Sequence, residues 1–423
     1  MKDDILHRLI VWWDQGVVGT LALNRSGAMH FVYDAGWLDD AACPALSQAL
    51  PKQAAPFDDA LCKAVFGGLL PEEGQRTAIA RALGISANNP FRLLAALGGD
   101  VAGALAFLPE GQSPPAPLAN AAPLRPLSDA ELSATLDRLP YAPMLAGEGL
   151  ARLSLAGAQS KLPVLLIDDS IALPDDATPS THLIKPEPDR FAGLAANEGF
   201  CLALARVIGL DTAHAQWRSV AQKPFLLVTR YDRETGADGR TVRLHQEDFA
   251  QALGVPSNRK YATEGGPVFK DAFALVRRAT TRPAREVLKL VDAALFNVII
   301  GNADAHAKNF SLLRQRTGEI VLAPLYDLVA THMWPGLSKR FAMKFGGAAT
   351  LEEIDSDAMA RFAADASLTR AFIKRRAIAI SQRVDDTLAS KTLIANAAEQ
   401  TDTAALAEII RDRAQRLALK AKG

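Results

Sequence analysis

The most informative stretch of the sequence is Asn302-Ala-Asp-Ala-His-Ala-Lys-Asn-Phe310, which is followed by a short apolar hairpin and then by Pro324-Leu-Tyr-Asp327. It supplies three polar side chains, Asp304, Asn309 and Asp327. Phosphoryl transfer needs a set of this kind, because one group accepts the proton of the attacking hydroxyl and two oxygen ligands hold Mg²⁺. The stretch therefore indicates a phosphotransferase site.

The spacing of these residues is that of a protein-kinase catalytic loop. Asp304 and Asn309 stand in a D-x-x-x-x-N relation, in which a kinase uses the Asp as base and the Asn as metal ligand. Asp327 closes the next hairpin, where a kinase places the aspartate that holds magnesium on ATP phosphates. A purely structural interpretation makes Asp304 a helix cap and Asn309 a turn residue. A kinase is the first functional hypothesis.

A metal-dependent hydrolase is an alternative from the same residues. It would use Asp304, His306 and Asp327 as ligands, but the sequence offers no second histidine at metal-ligand spacing. It also leaves the small-residue loop Ala156-Gly-Ala-Gln-Ser-Lys161 without a role. The kinase hypothesis uses every one of these pieces.

Composition describes an ordinary globular protein. The 423 residues are 49% hydrophobic and 22% charged, and the formal net charge is zero, so no global basic field indicates nucleic acid as the main ligand. No apolar run reaches the roughly 18 residues of a membrane span. The three cysteines, Cys43, Cys62 and Cys201, form no CxxC pair, and the first residues do not resemble a secretory signal. We expect a cytoplasmic protein without membrane contact.

Patterning along the chain predicts an α+β fold with strand-rich and helical parts. Strands are expected at Leu162–Ile167, His182–Pro186 and Phe225–Tyr231, and the pattern after Leu244 is helical to the C-terminus except for a hairpin at 310–323. The predicted domains are an N-terminal α/β subdomain at 1–110, a Pro-rich linker at 111–126, a strand-rich lobe at 127–235 and a helical lobe at 236–423.

Two segments upstream of the catalytic loop have the chemistry of a phosphate site. The loop at 156–161 lets backbone N–H groups approach phosphate oxygens, with Lys161 adding charge, although such a loop is also an ordinary β-turn. Lys185 ends an apolar strand, as does the kinase lysine that pairs with the α- and β-phosphates. Glu198 on the following helix is either the acid that holds Lys185, as in kinases, or, like Asn197, a capping or surface residue.

Motifs along nearly the whole chain resemble those of the HipA toxin kinases. The N-terminal module, with Gly68-Leu-Leu-Pro-Glu and Gly98-Gly-Asp-Val-Ala-Gly-Ala, is similar to the family's amino-terminal subdomain. The other matching segments are Ser154-Leu-Ala-Gly-Ala-Gln-Ser-Lys161, Thr181-His-Leu-Ile-Lys185, Val228-Thr-Arg-Tyr-Asp-Arg233, Leu244-His-Gln-Glu-Asp248, Lys260-Tyr261, Gly265-Gly-Pro267, Gly301 to Asn309 and Pro324 to Leu328. The fold that this implies is a two-lobed protein-kinase-like fold of HipA type with an extra N-terminal subdomain.

The resemblance implies roles residue by residue. Asp304 would be the catalytic acid/base, and Asn309 and Asp327 the magnesium ligands. Ser154 matches the family's self-phosphorylated serine. The residues expected to bind ATP are Ala156, Gly157, Ala158, Gln159, Ser160, Lys161, Lys185, the hinge residues Thr229, Arg230 and Tyr231, and His306 and Lys308 of the catalytic loop. Ser160 stands where the family often has an acid, so substrate choice is the property most open to change.

The function implied is that of an ATP- and Mg²⁺-dependent serine/threonine kinase, the toxin of a toxin–antitoxin pair. Its partner would be a helix-turn-helix antitoxin of HipB type, and DNA would be bound only through that complex. The family points towards a translation factor, such as an aminoacyl-tRNA synthetase, as the protein substrate. The rival hypothesis is a catalytically silent kinase-fold partner or corepressor, which the presence of Lys185, Asp304, Asn309 and Asp327 disfavours.

Overall fold

The computed structural model describes residues 4–115, 124–146, 152–175, 178–236, 240–390, 393 and 403–423. The chain divides into two compact units. The first contains Met1–Pro186, Ser219–Lys223 and Leu227–Asn258, and the second contains Glu187–Arg218, Pro224–Leu226 and Arg259–Gly423. The predicted domain boundaries stay predictions, and residues 116–123 of the predicted linker lie outside the described residues.

The described strands and helices alternate along the first half of the chain, and helices dominate the second half. The strands are β1 (Ile5–Trp13), β2 (Gly16–Asn24), β3 (Met29–Tyr33), β4 (Leu105–Pro109), β5 (Leu162–Ile167), β6 (Ser170–Ala172), β7 (His182–Pro186), β8 (Ala215–Val220), β9 (Lys223–Thr229), β10 (Arg233–Thr235), β11 (Thr241–Arg243), β12 (Gln246–Asp248), β13 (Ser311–Arg314) and β14 (Ile320–Leu322). The helices are α1 (Ala35–Asp39), α2 (Asp59–Val65), α3 (Glu73–Leu83), α4 (Pro90–Leu97), α5 (Asp129–Arg138), α6 (Leu194–Val207), α7 (Phe249–Ala252), α8 (Phe269–Ala279), α9 (Pro283–Ile300), α10 (Ser356–Asp365), α11 (Arg370–Ala389) and α12 (Thr403–Lys422). The mixed content confirms the predicted α+β class.

The first unit begins with a sheet in the order β3-β2-β1-β4, whose described pairings are antiparallel. Its buried face carries large apolar side chains such as Leu9, Val11 and Phe31, which alternate with more exposed neighbours along β1 and β3. Helices α2 and α4 are preceded by the N-cap residues Asp58 and Asn89, whose side chains accept hydrogen bonds from backbone N–H groups of the first turn. These local caps stabilise the first turns of the two helices.

A second sheet in this part of the chain carries the predicted phosphate-site residues. Strand β5 pairs antiparallel with β6 and with β7, and the strand order continues through β9 to β8. The predicted strands at Leu162–Ile167 and His182–Pro186 are observed with those bounds, and the third lies at Lys223–Thr229, slightly earlier than expected. Their apolar runs fit strands buried on both faces.

A buried ionic cluster joins distant segments of the first unit. Arg233 Nη2 lies 2.6 Å from Asp100 Oδ1, and Arg230 Nη2 lies 2.8 Å from Asp232 Oδ2. Ser180 Oγ donates to Asp100 Oδ2 at 2.7 Å. Burial alone would raise the pKa of Asp100, but Arg230 and Arg233 hold that pKa below its ordinary value. Each charge in the cluster therefore depends on its partners.

The second unit has an aromatic core between its helices. Phe269 and Phe273 of α8 meet Phe362 of α10 edge-on, and Phe345 stacks on Phe362 with ring centroids 3.9 Å apart. Helix α12 packs against both α11 and α9. Among the described residues, none of the helices is both long enough and apolar enough to cross a membrane.

The expectation that the chain after Leu244 is helical to the C-terminus, apart from the hairpin at 310–323, is wrong in two places. Strand β12 forms at 246–248, and between β14 and α10 the described chain has only one short 3₁₀ turn, Thr331–Met333. This segment contains Pro335, Gly336, Gly346 and Gly347, which disfavour a continuous helix. The predicted hairpin itself is confirmed, since β13 and β14 pair antiparallel.

Replacing Asp100 by Asn should destabilise the protein strongly, because it removes one of the two buried carboxylates that balance the charges of Arg230 and Arg233. We expect the free energy of unfolding to fall by roughly 3 kcal/mol. The matched control is Asp137→Asn, which removes an exposed ion pair with Lys223 and should cost less than about 1 kcal/mol. Urea denaturation of the three proteins measures both changes. Equal midpoints for the two variants would contradict a structural role for the cluster.

Candidate active site

The catalytic loop begins where helix α9 ends. Gly301 terminates α9 in the left-handed region, with φ of 71°. A Cβ atom at this position would lie 2.9 Å from His332 Cγ and 3.0 Å from Arg413 Nε. Arg413 donates from Nη2 to Val298 O at 2.7 Å and from Nε to Ile299 O at 3.1 Å. Gly301 thus ends the helix, and Arg413 hydrogen-bonds two of its last carbonyl groups, so that the chain continues into the catalytic loop.

Hydrogen bonds within the loop fix its course. Asn302 is buried, and its side chain donates to Asn297 Oδ1 at 2.8 Å and accepts from the N–H of Asp304 at 3.1 Å. The N–H of His306 donates to Asn309 Oδ1 at 3.1 Å. These contacts hold Asp304 and Asn309 on one short segment, with the side chain of Asp304 exposed to solvent.

The two predicted metal ligands lie next to each other. Asn309 Nδ2 lies 3.3 Å from Asp327 Oδ2, and Asn302 Nδ2 donates to Asp327 O at 3.2 Å. Asp327 has φ of 52°, a left-handed conformation that is uncommon outside glycine and that clusters at functional sites. An amide oxygen and a carboxylate are the hard oxygen donors that Mg²⁺ prefers, so this pair fits the ion in chemistry.

The segment that follows the β13–β14 hairpin and contains Asp327 is hydrogen-bonded to the catalytic loop through a tyrosine. Tyr326 Oη donates to Lys308 O at 2.8 Å and lies 2.6 Å from Ser311 Oγ. Lys308 is itself largely buried. The hydrogen bond from Tyr326 to Lys308 joins the two residues that directly precede Asp327 and Asn309, and so holds these two segments together.

His306 lies buried beneath these residues. Burial, together with the positive charges of Lys260 and Lys308, lowers its pKa to about 3, while Asp327 acts in the opposite sense. The imidazole is therefore neutral at physiological pH. The described residues contain no group of three or more His, Cys, Asp or Glu side chains arranged to hold a metal ion.

In the first unit, the loop at 156–161 is closed by its own lysine. Lys161 is buried and donates from Nζ to Ala156 O at 2.6 Å. Gly157 O accepts from the N–H of Glu72 at 3.1 Å, and Ser160 Oγ donates to Leu139 O at 3.2 Å. Hydrogen bonds thus hold the loop in place, and the ammonium group of Lys161 lies against the carbonyl oxygen of Ala156, where the loop begins.

Strand pairing brings the two predicted phosphate lysines to the same sheet end. Leu162 on β5 pairs with Ile184 on β7, so Lys161 and Lys185 lie one residue beyond this pair on neighbouring strands. Lys185 is buried, and Gln159 Nε2 lies 3.5 Å from the carbonyl oxygen of Pro186, the next residue. The structure places the loop beside the strand lysine, as a phosphate site requires.

The predicted hinge is partly committed to other contacts. The guanidinium of Arg230 belongs to the ionic cluster, and its N–H donates to Thr181 O at 3.0 Å. Tyr231 Oη donates to the side chain of Gln246. Neither the Arg230 side chain nor its N–H is available to a nucleotide in this conformation. The assignment of Thr229–Tyr231 as a hinge that binds ATP stays a prediction.

Ser154 is fully buried. Its hydroxyl donates to Leu69 O at 3.1 Å, and its N–H donates to Asp100 O at 3.0 Å. A phosphate on this oxygen would lie against a carbonyl in a closed space. Phosphorylation therefore requires this segment to leave its position.

Some residues that shape the site were not assigned a role from sequence. Asn302 lies in the decisive stretch, and its signal was a polar residue directly after the helix-ending glycine. Tyr261 lies in one of the matching motifs, and its hydroxyl donates to Asp304 Oδ1 at 2.8 Å. Arg413 gave no signal, because nothing in the pattern of α12 distinguishes it from the other arginines of that helix.

The fold and the loop define a protein-kinase-like α+β protein. A model of the HipA N-terminal domain matches residues 9–108, and a model of the HipA-like C-terminal domain matches residues 153–392. The chain belongs to the HipA family.

Named relatives agree with this assignment. The Sinorhizobium fredii protein named "Putative kinase Y4mE" is 51% identical over 381 residues, which are 90% of this chain and 90% of that protein. The Shewanella oneidensis serine/threonine-protein kinase toxin HipA is 30% identical over 338 residues, 77% of this chain and 76% of the relative. Among solved structures, the Shewanella oneidensis MR-1 complex of HipA, HipB and operator DNA matches with a TM-score of 0.81 at 26% identity, covering 98% of this chain and 96% of that one.

Proposed function

We propose that this chain is an ATP- and Mg²⁺-dependent protein serine/threonine kinase that acts as the toxin of a toxin–antitoxin pair. The observation that carries the proposal is the contact of Asn309 Nδ2 with Asp327 Oδ2 at 3.3 Å, together with the exposed carboxylate of Asp304 on the same loop as Asn309. The family relationship supports the same class of activity.

Asp304 is the residue that would move a proton. Its carboxylate would accept the proton of a serine or threonine hydroxyl as that oxygen attacks the γ-phosphorus and ADP leaves. Asn309 and Asp327 would hold Mg²⁺ through their side-chain oxygens, and the ion would neutralise charge on the phosphates. Lys185 and Lys161 would supply further positive charge to the phosphates, with the 156–161 backbone orienting them.

The proposed partner is a helix-turn-helix antitoxin of HipB type, through which the chain would meet DNA. The Shewanella complex, which contains HipA, HipB and operator DNA and matches nearly the full length of this chain, supports this proposal. For the substrate we propose a cytoplasmic protein, a translation factor such as an aminoacyl-tRNA synthetase, as the family resemblance implies.

A silent kinase-fold corepressor remains the second candidate function. The intact set Lys185, Asp304, Asn309 and Asp327 argues against it, because loss of activity usually leaves a substitution at one of these positions. If the unmodified protein binds Mg²⁺·ATP but transfers no phosphate to itself or to a generic protein acceptor, this candidate is correct and the kinase proposal is wrong.

Asp304→Asn should preserve folding and ATP binding and lower phosphate transfer by about 10²–10⁴-fold, because an amide cannot accept the proton. Transfer from radiolabelled ATP to a generic protein acceptor measures the loss. The matched control is Asp386→Asn on the exposed side of α11, which should retain parental activity. Parental activity in Asp304→Asn would remove this residue from the base role.

Self-phosphorylation of Ser154 should switch the kinase off. A phosphoserine carries about −1.5 to −2 charge at neutral pH, which cannot return to a buried position 3.1 Å from the Leu69 carbonyl oxygen. The 154–161 segment would then stay displaced, and the phosphate loop with it. After incubation with Mg²⁺·ATP, mass spectrometry should find phosphate on Ser154 in the parent and not in Asp304→Asn. A Ser154-phosphorylated form that still binds ATP as the parent does would refute the switch.

A further inference from the structure

Tyr261 contacts the proposed base directly. Its hydroxyl donates a hydrogen bond of 2.8 Å to Asp304 Oδ1, across 43 positions of sequence. The side chain of Asp304 is exposed to solvent, and an aspartate side chain can adopt several rotamers. A hydrogen bond to an ionised carboxylate is stronger than one between neutral groups, so the bond from Tyr261 restricts the rotamers that Asp304 adopts.

The backbone around Tyr261 is built to hold this residue in place. The carbonyl of Tyr261 accepts hydrogen bonds from the N–H groups of Glu264 at 3.0 Å and Gly266 at 2.9 Å, around the 3₁₀ turn Ala262–Glu264. A Cβ at Gly266 would lie 2.1 Å from Arg259 O and 2.7 Å from Tyr261 O. Only glycine permits this close a turn, so the position of the tyrosine is specified by its loop.

The ring is fixed from two sides. It meets the imidazole of His306 edge-on, with centroids 5.1 Å apart and planes at 77°. Lys260 Nζ lies 5.1 Å from the centroid of the Tyr261 ring. His306 is buried in the catalytic loop that also carries Asp304. Its contact with the Tyr261 ring therefore holds the tyrosine against that loop.

We propose that Tyr261 is a positioning residue for phosphoryl transfer, whose hydroxyl holds the Asp304 carboxylate in the orientation that receives the substrate proton. This inference rests on the proposed kinase function. Proton transfer requires the base within hydrogen-bond reach and correctly oriented, and small misplacements of reacting groups cost large factors in rate. The tyrosine thus acts through Asp304 and not on the substrate.

The test is Tyr261→Phe, which keeps the ring and its contacts with His306 and Lys260 and removes only the hydroxyl. We expect kcat for transfer to a generic protein acceptor to fall about tenfold, the equivalent of one hydrogen bond's orienting effect. The KM for ATP should stay within about twofold, and the melting temperature should match the parent. Tyr141→Phe, at an exposed tyrosine outside the site, should behave as the parent in every respect.

A double mutant separates positioning from a general structural effect. If Tyr261 acts through Asp304, then adding Tyr261→Phe to Asp304→Asn causes no further loss in single-turnover transfer of radiolabelled phosphate. An additional tenfold loss in that background, a parental kcat in Tyr261→Phe, or a loss carried by the KM for ATP would each overturn the inference. Parental activity in Asp304→Asn would instead refute the proposed function. Impaired Asp304→Asn with parental Tyr261→Phe would refute only the role of the tyrosine.

Discussion

The end of helix α9 at Gly301 is the constraint on which the candidate site depends. The buried helix must stop there for the next residues to reach the surface, and Arg413 satisfies two of its last carbonyl groups. From that point, Asn302 holds both the N–H of Asp304 and the carbonyl of Asp327. A loop and a hairpin that are separate in sequence become one rigid arrangement of polar side chains.

The first unit depends on a different constraint, because its charged cluster is buried and each charge in it needs a partner. Asp100 and Asp232 lie among Arg230 and Arg233 at almost no exposure, a costly arrangement unless every charge is paired. The same cluster borders two segments with proposed roles: Arg230 belongs to the predicted hinge, and the Asp100 carbonyl accepts from the N–H of Ser154. A displacement of Ser154 or of the predicted hinge would therefore disturb the same buried ionic cluster.

The sequence predicted those parts of the structure that local patterns determine. Strands Leu162–Ile167 and His182–Pro186 were predicted with the observed bounds, because the apolar residues that indicate each strand lie within its own segment. The approach of Asn309 to Asp327 followed from a motif. Two contacts were not predicted: the hydrogen bond between Tyr261 and Asp304, and the ion pair of Asp100 with Arg233. Such contacts depend on how distant segments pack, and they produce no periodic pattern in the sequence.

The most direct test of this account is to locate the metal. In crystals grown with Mn²⁺ and a non-hydrolysable ATP analogue, the anomalous signal should place manganese in contact with side-chain oxygens of both Asn309 and Asp327. Crystals of Asp327→Ala grown in the same way should lack that signal. Manganese and nucleotide bound away from this pair, with the Asn309–Asp327 contact unchanged, would contradict the assignment of these residues as the phosphotransferase centre.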